Sequence, residues 1–169
     1  MKILIVVDMQ VDFITGSLGS ESAKAIVPNV VSKIKNFDGK VLFTRDTHGE
    51  NYLNTQEGRK LPVAHCIKNT EGWQICDELK PYVTEVIDKE TFGSMDLPQT
   101  IKKFDEEIDE IEICGLCTDI CVISNAMILK AAFPEVKLTV DSSCCAGVTL
   151  ESHNTALEAM KAVQIEIVK

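Results

Sequence analysis

Residues 113–122, ICGLCTDICV, hold three of the chain's seven cysteines: Cys114, Cys117 and Cys121. Thiols at this density suit three chemistries: metal binding, a redox dithiol, or one nucleophile with two bystanders. Cys114-x-x-Cys117 has the spacing of half a zinc knuckle or of a thioredoxin-like pair. A knuckle needs a second pair, and Cys66, Cys76 and the adjacent Cys144 and Cys145 lack its spacing. A redox pair puts its first cysteine at a helix start, whereas Cys114 ends the strand-like run IEIC. Cys114 and Cys117 therefore read as small core or turn residues. Cys121 differs. It lies beyond the turn GLCTD, in the first turn of the next helix, where free N–H groups and the helix dipole favour a thiolate and can receive an oxyanion.

A second group of chemistry-bearing residues lies in the polar stretch 46–71. It contains Asp46, His48, Glu57 and His65, and so two of the chain's three histidines. Imidazole and carboxylate donors together suit zinc, manganese or iron. The plainer alternative is a loop whose charged groups face water.

These residues need a frame to bring them together. Short β-branched runs alternate with amphipathic segments along the chain. Strands are predicted at 2–7, 40–45, 85–89, 111–114, 136–140 and 164–168. Helices are predicted at 22–37, 72–79, 98–104, 118–132 and 151–162, the first becoming regular only at Pro28. The pattern predicts an α/β fold: three layers, with an open, parallel, six-stranded sheet between helices on both faces. Asp8, Asp46, Lys89, Gly115 and Asp141 then fall at strand ends. Ligands in such sheets bind outside the carboxyl ends of the strands, where the strand order reverses.

Bulk properties narrow the class. The 169 residues suit one domain, 1–169, and the formal charge of −9 without a basic run argues against nucleic-acid or anionic-membrane partners. The apolar opening MKILIVVD is too short for a secretory signal and Asp8 ends it, so it reads as a first strand. No apolar stretch approaches a membrane span. An odd number of cysteines with no signal points to a reducing, cytoplasmic setting.

Several stretches together resemble the isochorismatase-like cysteine hydrolases, and within them the nicotinamidases. They are VVDMQVDF (6–13), TRDTH (44–48), PVAHCIKNTEG (62–72), DKETFGS (88–94), GLCTDICV (115–122) and DSSCCAGVTLESHNTALEAM (141–160). The resemblance covers almost the whole chain in the family's order. It implies a catalytic triad of Asp8, Lys89 and Cys121, with Lys89 lowering the thiol pKa. It further implies an oxyanion hole from the backbone N–H groups of Cys117 and Cys121, a cis peptide at Leu116–Cys117, and Phe13 and Leu116 against the substrate. Asp46, His48 and His65, with Glu57 as a fourth, would hold one divalent ion, zinc or else manganese or iron. A small amide substrate and a homo-oligomer are also implied. Two departures stand out: Thr47 replaces the tryptophan of the family's Asp-Trp-His, and Ile120 replaces an aromatic before the nucleophile. His153 reads as structural.

Overall fold

The computed structural model describes residues 1–169. Six strands alternate with helices: β1 (Lys2–Val7), β2 (Lys40–Asp46), β3 (Val86–Lys89), β4 (Glu110–Leu116), β5 (Lys137–Ala146) and β6 (Glu166–Val168). All neighbouring pairs are parallel, in the order β3-β2-β1-β4-β5-β6. The order reverses between β1 and β4, so the crevice that a doubly wound sheet offers to a ligand opens above these two strands. Ile3 to Val7 are all fully buried, as expected of a central parallel strand covered on both faces.

The helices are α1 (Val11–Ile14), α2 (Glu21–Asn36), α3 (Gln56–Lys60), α4 (Asp96–Ile101), α5 (Ile123–Ala132) and α6 (Leu150–Ala162). α2 packs on β4 and β5, while α4 packs on α5 and α5 on α6, as right-handed crossovers onto the two faces of the predicted three-layer architecture require. None of them is long and apolar enough to cross a membrane.

Four local expectations need correction. α2 does not wait for Pro28. Ser20 caps it by accepting from the Ala23 N–H, and burial of Ala23, Ile26, Val27, Val30 and Ile34 carries the helix through the proline. The stretch 72–79 is a run of turns, because Gln10 pairs with Ile75 in an antiparallel bridge and holds the backbone extended there. β5 continues six residues beyond Val140, through DSSCCA, with Cys144, Cys145 and Ala146 buried. Asp141 consequently sits within the strand rather than at its end, and pairs with Lys33 of α2 at 2.6 Å. Finally, the helix expected from 118 starts as a π-turn, Thr118–Val122, before α5 begins. In that turn Ile120 and Val122 both donate to the Cys117 carbonyl.

Candidate active site

Three strand ends and the π-turn converge on one buried group. Asp8 follows β1 with a left-handed φ of 48°, a conformation aspartate tolerates better than most residues. Its Oδ1 accepts from the Thr44 hydroxyl at 2.7 Å, and its Oδ2 lies 2.6 Å from the Lys89 ammonium. Lys89 ends β3, and its Nζ also donates to Asp46 Oδ1 (3.2 Å), the Thr91 carbonyl (3.1 Å) and Cys121 Sγ (3.5 Å). Asp8, Lys89 and Cys121, separated by up to 113 positions, thus meet around one ammonium. Close contact of β1 and β4 makes this possible. Gly115 (φ +116°) lies so near Val7 that a Cβ would stand 2.2 Å from its carbonyl oxygen.

Lys89 lowers the Cys121 pKa, in the direction the sequence suggested, but it is not the largest influence. Burial, and then the negative charge of Asp8, push the Cys121 thiol well above its usual pKa, and Lys89 only partly opposes them. Burial and Asp8 thus favour the thiol form of Cys121, and Lys89 favours the thiolate. Burial also raises the Asp8 carboxyl above the usual carboxylate range, against the pull of Lys89. Burial works to discharge Lys89, but Asp8, Cys121 and Asp46 keep it protonated. A raised pKa makes the Asp8 carboxylate a stronger base than an ordinary aspartate, and it shares the Lys89 ammonium with Cys121.

The turn beside the nucleophile offers hydrogen-bond donors. The Leu116–Cys117 peptide is cis, and the Cys117 N–H donates to no carbonyl or side chain of the protein. Leu116 and Cys117 line a cavity of about 440 Å³ together with Phe13, Phe92, Ile120 and Cys121. Asp46, Glu57 and His65 reach the same cavity from the other side. A larger depression, about 820 Å³, opens over α2 but contains no nucleophile and no ligand cluster.

One ligand atom each from Asp46, His48 and His65 lies within 4.8 Å of the others. Asp46 Oδ2 is 2.9 Å from His48 Nε2 and 3.7 Å from His65 Nε2. His48 Nε2 is buried without an aligned hydrogen-bond partner, which is costly for a polar atom unless something binds it. His65 Nδ1 lies 2.7 Å from the Val63 carbonyl, which can only accept. Its proton is thereby fixed on Nδ1, and Nε2 presents a lone pair to the cluster, as in metal-binding histidines. Burial disfavours charge on His48, yet Asp46 and Glu57 raise its pKa overall, so the cluster attracts a cation. These residues fit a divalent metal. Glu57 Oε1 stands 3.6 Å from His48 Nε2 and 3.7 Å from His65 Nε2, just outside the three-residue group. None of the seven cysteines belongs to the cluster, and all are unpaired.

Supporting residues surround both groups, and several carried no signal of their own in the sequence. Gln10, fully buried, brackets the Asp46 backbone, accepting from its N–H (2.7 Å) and donating to its carbonyl (2.8 Å). Asp12 accepts from the Cys66 N–H beside His65, and Gly72 packs against it so closely that a Cβ would meet its carboxylate at 2.2 Å. Thr47 receives the indole N–H of Trp73 at 2.8 Å, so an aromatic ring reaches this position from another segment. Tyr52 packs on both His48 and His65. His153, in α6, shares a 2.7 Å hydrogen bond with Thr118 and supports the nucleophile turn from outside.

The chain is similar to known proteins in sequence and fold. A family model for the isochorismatase domain matches residues 2–169. The nicotinamidase of Saccharomyces cerevisiae is 25% identical, over 99% of both chains. An uncharacterized isochorismatase family protein of Bacillus subtilis, PncA, is 30% identical over 92% of both. The crystal structure of Pyrococcus horikoshii pyrazinamidase in complex with zinc has a TM-score of 0.86 at 30% identity, covering 99% of this chain and 98% of that one. Motifs, sheet order and family match agree: the chain belongs to the isochorismatase family.

Proposed function

We propose that the protein is a cytoplasmic, metal-assisted cysteine amidohydrolase that converts nicotinamide to nicotinate and ammonia. The carrying observation is that Asp8, Lys89 and Cys121 meet in one cavity with the Asp46–His48–His65 cluster. Relatives named nicotinamidase and a zinc-bound pyrazinamidase support the substrate class and the metal.

As Cys121 Sγ attacks the amide carbon, its proton passes to Asp8 and an S–C bond forms. The N–H groups of Cys117 and Cys121 receive the negative charge that develops on the carbonyl oxygen. The C–N bond then breaks, and Asp8 returns the proton to the departing ammonia, leaving a thioester on Cys121. Asp8 next takes a proton from water, which adds to the thioester carbon, and the thiol leaves with that proton. Lys89 keeps a positive charge beside Asp8 and the sulfur throughout. Asp46, His48 and His65, with Glu57 near them, would hold zinc, or manganese or iron, and the ion would supply a Lewis-acidic anchor for the ring nitrogen. Phe13 and Leu116 would flank the ring.

Turnover of nicotinamide, pyrazinamide and unrelated linear amides, with metal content measured in parallel, tests this reading. Absent activity on the two ring amides, or activity on them no greater than on the unrelated amides, would refute it. Ile120 in the cavity wall favours a second reading, hydrolysis of another small amide by the same triad.

A further inference from the structure

The segment between Lys89 and α4, residues 90–95, forms one wall of the cavity through Phe92. Its backbone is poorly tied down. Two side chains from outside the segment hydrogen-bond to it, those of Lys89 and Asn125. Lys89 Nζ donates to the Thr91 carbonyl. Asn125, fully buried in the first turn of α5, accepts from the Ser94 N–H at 2.9 Å and donates to the Phe92 carbonyl at 3.2 Å. The same amide donates to the Cys121 carbonyl at 2.8 Å. One side chain therefore joins the nucleophile's own backbone to the segment that carries Phe92 and accepts from Lys89.

We infer that Asn125 is a positioning residue for the reaction: it sets the Lys89 ammonium and the Phe92 wall relative to Cys121. The inference rests on the proposed chemistry at Cys121, and Asn125 itself is not among the residues assigned to it. An amide suits the task because it alone offers two donors and an acceptor on one short, neutral side chain. Without it, the Phe92 and Cys121 carbonyls and the Ser94 N–H lose a shared partner, and the segment keeps the Lys89 bond to Thr91 and the Leu97 N–H bond to the Ser94 hydroxyl. Reacting groups displaced by about 1 Å can lose about 10²-fold in rate, so a loosened wall should be felt in the chemical step.

The test compares wild type with Asn125→Ala on three readouts. These are kcat and KM for nicotinamide per titrated thiol, the rate of Cys121 alkylation by iodoacetamide followed by peptide mass, and bound zinc. A positioning role predicts a drop in kcat of about 10-fold or more and a rise in KM. It also predicts faster alkylation of Cys121 as the wall loosens, with bound zinc unchanged. Wild-type kcat per thiol together with a wild-type alkylation rate would overturn the inference. If wild type hydrolyses no ring amide, the proposed function fails, but the alkylation rates still decide the role of Asn125. Hydrogen exchange in wild type covers the case of a variant that does not fold. The Ser94 amide should be protected far beyond its unstructured rate, and exchange at that rate would overturn the inference.

Discussion

Two lysines in this molecule each lie between two carboxylates: Lys33 is half-buried, and Lys89 is buried and faces the candidate site. Lys33 of α2 pairs with Glu112 of β4 and Asp141 of β5, beneath the helix on a face of the sheet. Lys89 pairs with Asp8 and Asp46 at the edge of the sheet where the strand order reverses. The charge count is the same, but the surroundings differ. Around Lys33, Asp141 also accepts from the Ser143 N–H and hydroxyl, and these donors and Lys33 overcome burial to hold its pKa below the usual value. Around Lys89, burial prevails and raises Asp8, and a thiol and a cavity lie within reach. A saturated ion cluster fastens a helix to a sheet. An under-satisfied one beside a nucleophile stores a base.

The comparison breaks first at Asp8. Asp8→Asn removes the base and should lower kcat by about 10²–10⁴-fold, the usual contribution of a general acid–base group. Near-native turnover in that variant would dissolve the distinction between the two clusters. In wild type, kcat/KM should fall as pH drops through the Asp8 pKa, at a pH above the ordinary carboxylate range because burial raises it. A limb at the ordinary carboxylate pKa would contradict that placement.

Loss of the metal cluster should come next. Chelation, or His48→Ala, should cut activity on nicotinamide by about 10²-fold, the scale of a lost positioning contact, while Cys121 stays open to alkylation. Added zinc or manganese should rescue the chelated wild type but not His48→Ala. A metal-free protein unaffected by chelator would reduce the cluster to a polar loop.

Lys89→Ala and Lys33→Met sharpen the contrast further. Lys89→Ala strands two buried carboxylates, and breaking a buried pair typically costs about 3–5 kcal/mol of stability, whereas the half-buried Lys33 pairs should cost less. Denaturant midpoints should fall in both. Only Lys89→Ala should also slow turnover and push the Cys121 thiol still higher, as read from pH-dependent alkylation, because Lys89 opposes that rise. Lys33→Met should leave kcat per folded molecule unchanged.

The smallest effect concerns pH and stability at the Lys33 cluster. Asp141 is depressed in the fold, so its contribution is complete above its unfolded pKa of about 3.9 and is lost as pH falls through the lower folded value. Lys33 is raised, so its contribution is complete below about 10.4 and is lost only as pH rises through the higher folded value. The stability gap between wild type and Lys33→Met should therefore stay flat from about pH 5 to 9 and narrow in acid. A gap that widens in acid would mean that Asp141 is not held by Lys33.

The candidate site was legible in the sequence to the extent that its residues end strands. Asp8, Asp46 and Lys89 close apolar runs, and Cys121 follows a glycine-containing turn, so a parallel sheet had to bring them to one edge. The polar run DSSCC hid the second half of β5, because its burial depends on Lys33 and on the Ser142 hydroxyl donating to Val168, contacts made far along the chain. Gln10 and Asn125 were equally hidden, since an amide in a helix or turn gives no local sign of the carbonyls it will meet. The burial of Cys121 was hidden for a related reason: a helix start suggests a thiolate, and only the fold shows the apolar cover and the Asp8 charge that raise its pKa.

The most direct test is ammonia release from nicotinamide by purified wild type, Cys121→Ala and Cys117→Ala, each checked for its fold by circular dichroism. Cys121 is proposed to form the thioester, whereas Cys117 contributes only a backbone N–H that alanine retains. The account predicts steady release by wild type, none above background from Cys121→Ala, and most of the activity kept by Cys117→Ala. Near-native release from Cys121→Ala, with loss in Cys117→Ala, would contradict it and move the nucleophile to the other thiol.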